Sequence, residues 1–107
     1  MELIDILIKA IDDKKGENIA RINFQGTHAI MDDMLICDVS NNRLMMAIVD
    51  ELEDVCAQNG YYECRKEGNE HSDWVLFYCN HIAVSVFLKD AREFYNIERL
   101  WQDFLVK

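Results

Sequence analysis

The sequence has no proline, only four glycines, no Cys-x-x-Cys spacing and no long uncharged apolar run. Without proline or glycine-rich stretches there is no flexible linker or extended spacer. No repeat or low-complexity segment appears either, so residues 1–107 are expected to form one domain with a single core. No apolar segment approaches the roughly 20 residues needed to cross a bilayer. The acidic start, Met1-Glu2-Leu3-Ile4-Asp5, also differs from the basic start and unbroken apolar stretch of a secretory signal. A cytoplasmic protein with no membrane association is the expectation. Basic residues are scarce: 11 Lys and Arg stand against 20 Asp and Glu, a formal charge of −9. Such a surface repels phosphate backbones and favours basic protein partners, with little direct RNA contact.

Cysteine is present but scattered. Cys37, Cys56, Cys64 and Cys79 lack any zinc-knuckle or redox spacing and read as reduced, packed thiols. His28, His71 and His81 fall in turns, where solvated imidazoles are the rule. Cys64 and His71 have no third or fourth ligand at matching spacing, so neither a metal nor a cofactor is expected.

Half of the residues are hydrophobic, and their spacing is informative. Leu3, Ile4, Leu7, Ile8 and Ile11 recur at helical intervals, and Gly16 is expected to end that helix. Residues 19–24 alternate as a strand with one solvated face, and residues 34–39 form a nearly unbroken apolar run suited to a central strand. Ser40, Asn41 and Asn42 are capping residues before the longest helix, which carries Leu44, Ile48, Leu52 and Val55 up to Asn59 and Gly60. Residues 61–66 read as another strand. Residues 74–79 and 82–87 flank Asn80-His81 as a hairpin, because asparagine tolerates the left-handed backbone of a two-residue turn. Asp90 and Glu93 suggest a capped C-terminal helix whose stripe of Phe94, Ile97, Leu100, Trp101 and Phe104 packs on the core. The order predicts an α/β (α+β) domain with a mixed sheet of about five strands and flanking helices.

Several ordered blocks resemble the ribosomal silencing factor (RsfS, iojap-like) family from Ile11 to Trp101. These are 11–19 (IDDKKGENI), Ile30-Met31-Asp32 before Leu35-Ile36-Cys37, Arg43 at the start of the long helix, and Glu67-Gly68 followed by Trp74-Val75-Leu76. The closing run 91–101 (AREFYNIERLW) is the most specific of them. The chain departs from the family pattern at the hairpin, where Tyr78, Asn80, His81 and Ser85 replace its usual Asp, Gly, Asp and His, and at Met31 in place of threonine. The resemblance implies a nucleotidyltransferase-like fold without catalysis. It also implies binding to the large ribosomal subunit through ribosomal protein number fourteen, blocking association with the small subunit and repressing translation.

Trp74, Leu76 and Tyr78 share one strand face, where Trp74 is either an aromatic anchor for a partner or packing under the last helix. Together with Asn80, His81 and Ser85 they make the hairpin the expected contact surface. Trp101 is expected in the core. Arg43 opposes the helix dipole at its position, which points either to pairing with Asp32 or a partner carboxylate, or to a solvated side chain. Asp32 and Asp33 resemble a degenerate nucleotidyltransferase site, but neighbouring strand residues face opposite ways and cannot share a magnesium ion. Two further readings stay open: a nucleotide-binding or enzymatic domain, and a dimerising relative without ribosome binding. A monomer or weak homodimer is expected.

Overall fold

The computed structural model describes residues 1–28 and 30–106, so Ala29, within the 26–33 stretch, lies outside the described residues. Helix α1 (Leu3–Asp13) buries Leu3, Ile4, Leu7, Ala10 and Ile11 on one stripe. It ends before Gly16: Lys15 takes the left-handed turn at φ 70°. Gly16 serves a different purpose, because a Cβ there would collide with the side chain of Ile11 and press on Ile48.

Strands β1 (Glu17–Asn23) and β2 (Asp33–Val39) pair antiparallel, with an irregularity between Glu17 and Ala20 where Asn18 adopts a positive φ. Helix α2 (Asn42–Gln58) opens on Asn41, whose side chain accepts a hydrogen bond from Leu44 N at 2.9 Å. Strand β3 (Cys64–Glu67) is short and polar, and strands β4 (Trp74–Cys79) and β5 (Ile82–Leu88) form the hairpin. Asn80 sits in its turn at φ 58°, the left-handed backbone the sequence calls for.

The sheet order is β1-β2-β5-β4-β3, with β2 and β5 parallel and the other neighbours antiparallel. β2 and β5 lie in the middle and are buried along almost their whole length. At one edge, β3 presents Arg65, Lys66 and Glu67, charges that discourage pairing with another chain. At the other, β1 is partly covered by the chain end, through a bridge from Ile22 to Leu105 and a bond from Val106 N to Arg21 O.

Strand alternation divides the sheet into two faces. Leu35, Cys37, Val75, Phe77, Val84 and Val86 pack under α1 and α2 in the larger core. Ile22, Phe24, Ile36 and Phe87 face the other side, where the C-terminal segment packs. That segment is not one helix. Helix α3 (Lys89–Tyr95) stops at Asn96, which is left-handed at φ 43°, and a 3₁₀ segment (Ile97–Phe104) follows in a new direction. The expected Asp90 cap is also absent, since the residue before α3 is Leu88 and no side chain caps the helix. The break turns Phe94 and Leu100 outward, 82% and 73% exposed, while Ile97, Trp101 and Phe104 reach the smaller core.

A polar clamp holds α3 in place. Asp38, buried on β2, pairs with Lys89 Nζ at 2.8 Å and Arg92 at 2.9 Å, and Lys89 also pairs with Glu17. Arg92 Nε donates to Glu98 at 2.7 Å across the Asn96 break. Burial alone would raise the Asp38 pKa, but hydrogen bonds from Lys89, Asn18 and Arg92 outweigh it and hold the carboxyl below its ordinary value.

Candidate functional site

The smaller core does not cover its whole sheet face. Beyond Phe87 the face opens into a groove of about 430 Å³ floored by Met34, Leu76, Tyr78 and Ala83. Trp74, Leu100 and Trp101 line it as well, together with His28, Ile30 and Met31. Period two in β4 places Trp74, Leu76 and Tyr78 in a row, each half-buried, while Val75, Phe77 and Cys79 point into the larger core. Trp74 is fixed by stacking on Phe87 at 4.8 Å and by Tyr95 at 5.1 Å. Trp101 meets Phe24 edge-on at 5.1 Å. The Trp74 ring therefore packs under the C-terminal segment, and it also lines the opening. Trp101 is half-buried rather than enclosed.

The groove is preorganised at the hairpin end. The His81 carbonyl accepts hydrogen bonds from Asp32 N at 2.8 Å and Asp33 N at 3.4 Å, and its Nδ1 lies 3.0 Å from the Ile30 carbonyl. These contacts hold residues 30–33 against the turn, and Tyr78 and Asn80 line a neighbouring recess together with Ile30 and Met31. Burial first, then the nearby Glu67 carboxylate, raise the Tyr78 pKa, with Arg65 opposing, so the phenol stays a neutral donor at neutral pH. Trp74 Nε1 and Ser85 Oγ are buried without a hydrogen-bond partner. Such groups are costly to leave unpaired.

Two of the expected contact residues are placed elsewhere. Ser85 belongs to the groove face but is completely buried beneath it, between Ile36 and Leu76 in the sheet register, with no exposed surface. Arg43 is exposed at the start of α2, beyond the opposite end of β2 from Asp32. With strands rising about 3.3 Å per residue, the length of β2 separates the two by roughly 20 Å, so the Arg43–Asp32 pair does not form. The neighbouring Asp33 is occupied as well. Its Oδ1 accepts from Arg21 Nε at 2.9 Å and Asn23 Nδ2 at 3.0 Å, while Asp32 is exposed, so the two carboxylates do not converge.

Sequence reasoning missed Met34, Met31, Ile30 and Leu100 as groove residues. Met34 and Leu76 carried a signal in strand alternation, but the position of Leu100 depends on the Asn96 break. Away from the groove, on the α2 side of the sheet, the Cys56, Cys64 and Cys79 thiols lie within 4.8 Å of one another.

The fold that frames the groove also occurs in known proteins. The crystal structure of a Chromobacterium violaceum protein superposes with a TM-score of 0.88 at 26% identity, over 95% of this chain and 88% of that one. A Bacillus halodurans structure gives 0.84 at 37% identity, covering 98% and 96%. In sequence, the protein named ribosomal silencing factor RsfS in Halalkalibacterium halodurans is 39% identical over 95% of this chain and 87% of its own. The protein of the same name in Bacillus subtilis is 35% identical over 94% and 86%. The family model described as "Ribosomal silencing factor during starvation" matches residues 1–106, and on that match and these identities the chain belongs to the ribosomal silencing factor family.

Proposed function

We propose that this chain binds the large ribosomal subunit through ribosomal protein number fourteen and sterically blocks association with the small subunit, repressing translation without catalysis. The observation that carries this reading is the apolar groove: in a chain of charge −9, Trp74, Leu76, Tyr78 and Leu100 make an open apolar strip beside the hairpin. Aromatic anchors in a preformed recess are what protein interfaces use as hot spots. Acidic surroundings suit a basic ribosomal protein, because complementary charge speeds encounter and fixes orientation. Family membership supports the ribosome as the target. The contact surface proposed is therefore Trp74, Tyr78, Asn80, His81 and Asp32, with Leu100 added and Ser85 and Arg43 removed.

The test is a subunit-joining assay followed by light scattering, with binding to isolated ribosomal protein number fourteen measured alongside. The parent should slow joining and bind the isolated protein. Leu100→Ala removes an exposed side chain and should leave the fold intact while restoring joining. If Leu100→Ala and Tyr78→Ala both block joining as strongly as the parent, the groove is not the contact surface.

A further inference from the structure

Three of the four cysteines, dispersed in sequence, meet in space. Cys56 comes from the last turns of α2, and Cys64 and Cys79 are direct cross-strand partners in the β3–β4 register. Cys64 Sγ is 3.1 Å from Cys79 Sγ, and all three sulfurs lie within 4.8 Å of one another. Cys56 and Cys79 are buried and Cys64 is half-exposed, so the trio is a recess with one accessible corner.

We propose that Cys56, Cys64 and Cys79 form a binding site for a soft thiophilic d¹⁰ cation, Zn²⁺ or Cu⁺, held by three thiolates. Thiolate sulfur is the donor that selects such ions. Around an ion with metal–sulfur bonds of about 2.3 Å, tetrahedral ligands sit roughly 3.8 Å apart, so side-chain adjustments well under the length of a bond bring these sulfurs into place. A cavity lined by Gly60, Tyr61, Glu63, Cys79 and Asn80 opens beside the trio and gives an entry path and room for a water as fourth ligand. The surroundings carry both signs: Glu53 of α2 bears on Cys64 and is paired with Lys66 at 2.8 Å. Burial, then the neighbouring Cys79 thiol, push the Cys64 pKa up to about 11, and ligation as thiolates requires the thiol protons to leave. Binding replaces those protons with the ion and ties the edge strand β3 to the hairpin and α2. The site is on the opposite sheet face from the groove and does not depend on how the groove is used.

The test uses the full chain, reduced and handled without oxygen. Co²⁺ is titrated as a spectroscopic stand-in for Zn²⁺, and Zn²⁺ and Cu⁺ are each competed against a chromophoric chelator. One equivalent should bind with a thiolate-to-cobalt charge-transfer band, and the bound ion should raise Tm by mass action. Whichever of Zn²⁺ and Cu⁺ withstands its chelator identifies the ion. Cys64→Ser, altering the half-exposed member, should keep the fold and weaken binding by at least about 100-fold, beyond the roughly 10–100-fold that outer-shell changes cost. Cys37→Ala, whose thiol lies outside the trio, should bind like the parent. Absence of the band, or equal binding by Cys64→Ser, overturns the proposal. So does protein isolated from the reducing cytosol without metal and about 2 Da light, the mass of two hydrogens lost to a Cys64–Cys79 disulfide.

Discussion

Tyr78 and Ser85 share one sheet face yet differ in what they can do. Tyr78 is half-buried at the rim with a neutral phenol, and Ser85 is sealed beneath the groove with its hydroxyl unpaired. Tyr78→Ala should weaken binding to large subunits by about 2 kcal/mol or more with little change in Tm, as measured by titrated pull-down and calorimetry. Asp54→Asn, on exposed α2 surface across the sheet, serves as the control and should bind normally. Ser85→Ala should keep full binding and gain up to about 1 kcal/mol in urea unfolding, because it removes a buried polar group with no partner. Strand alternation alone places both residues on this face. It carries no signal for which of them is covered, because that depends on the path of the C-terminal segment. Asp38 is the other residue whose role shows only in three dimensions. Its folded pKa is depressed, so its contribution to stability is present above the unfolded value near 4 and is lost as pH falls through the folded value. Acid titration followed by circular dichroism should show the parent losing stability below pH about 4, and Asp38→Asn should flatten that part of the profile.

At the level of elements, the hairpin and the C-terminal segment differ in how plainly the sequence announces them. Two alternating apolar runs around Asn80-His81 specify β4, β5 and a left-handed turn, and the structure has all three. The stripe from Phe94 to Phe104 reads as one helix because no proline or glycine interrupts it, yet Asn96 takes the left-handed conformation and the direction changes. Asparagine is a weak stop signal, and the Arg92–Glu98 pair spanning the break forms only once both halves are placed. Asn96→Ala should therefore cost about 1–2 kcal/mol in urea unfolding, with Asn96→Gly close to the parent. Trp101→Ala should cost about 2 kcal/mol, less than the roughly 3–5 kcal/mol of an enclosed tryptophan, since its ring is half-buried against Phe24. The cysteine trio was hidden for a related reason: Cys64 and Cys79 become neighbours only through the β3–β4 register, and Cys56 joins them only where α2 crosses that edge.

Over the whole molecule, one sheet separates two environments. α1 and α2 seal one face, while the C-terminal segment seals only part of the other and leaves the groove open beside the hairpin. The buried middle strands, the hairpin and the two long helices follow from hydrophobic periodicity, whereas the short polar β3 carries no such signal. The groove does not, because it is the space left between elements that are distant in sequence. The most direct test is sedimentation of purified large and small subunits on a gradient, with and without the chain. The account predicts that the chain travels with the large subunit and depletes joined ribosomes, and that Tyr78→Ala stays near the top and leaves the joined peak intact. A parent chain that remains at the top, or that travels with the large subunit while joined ribosomes are undiminished, would contradict it.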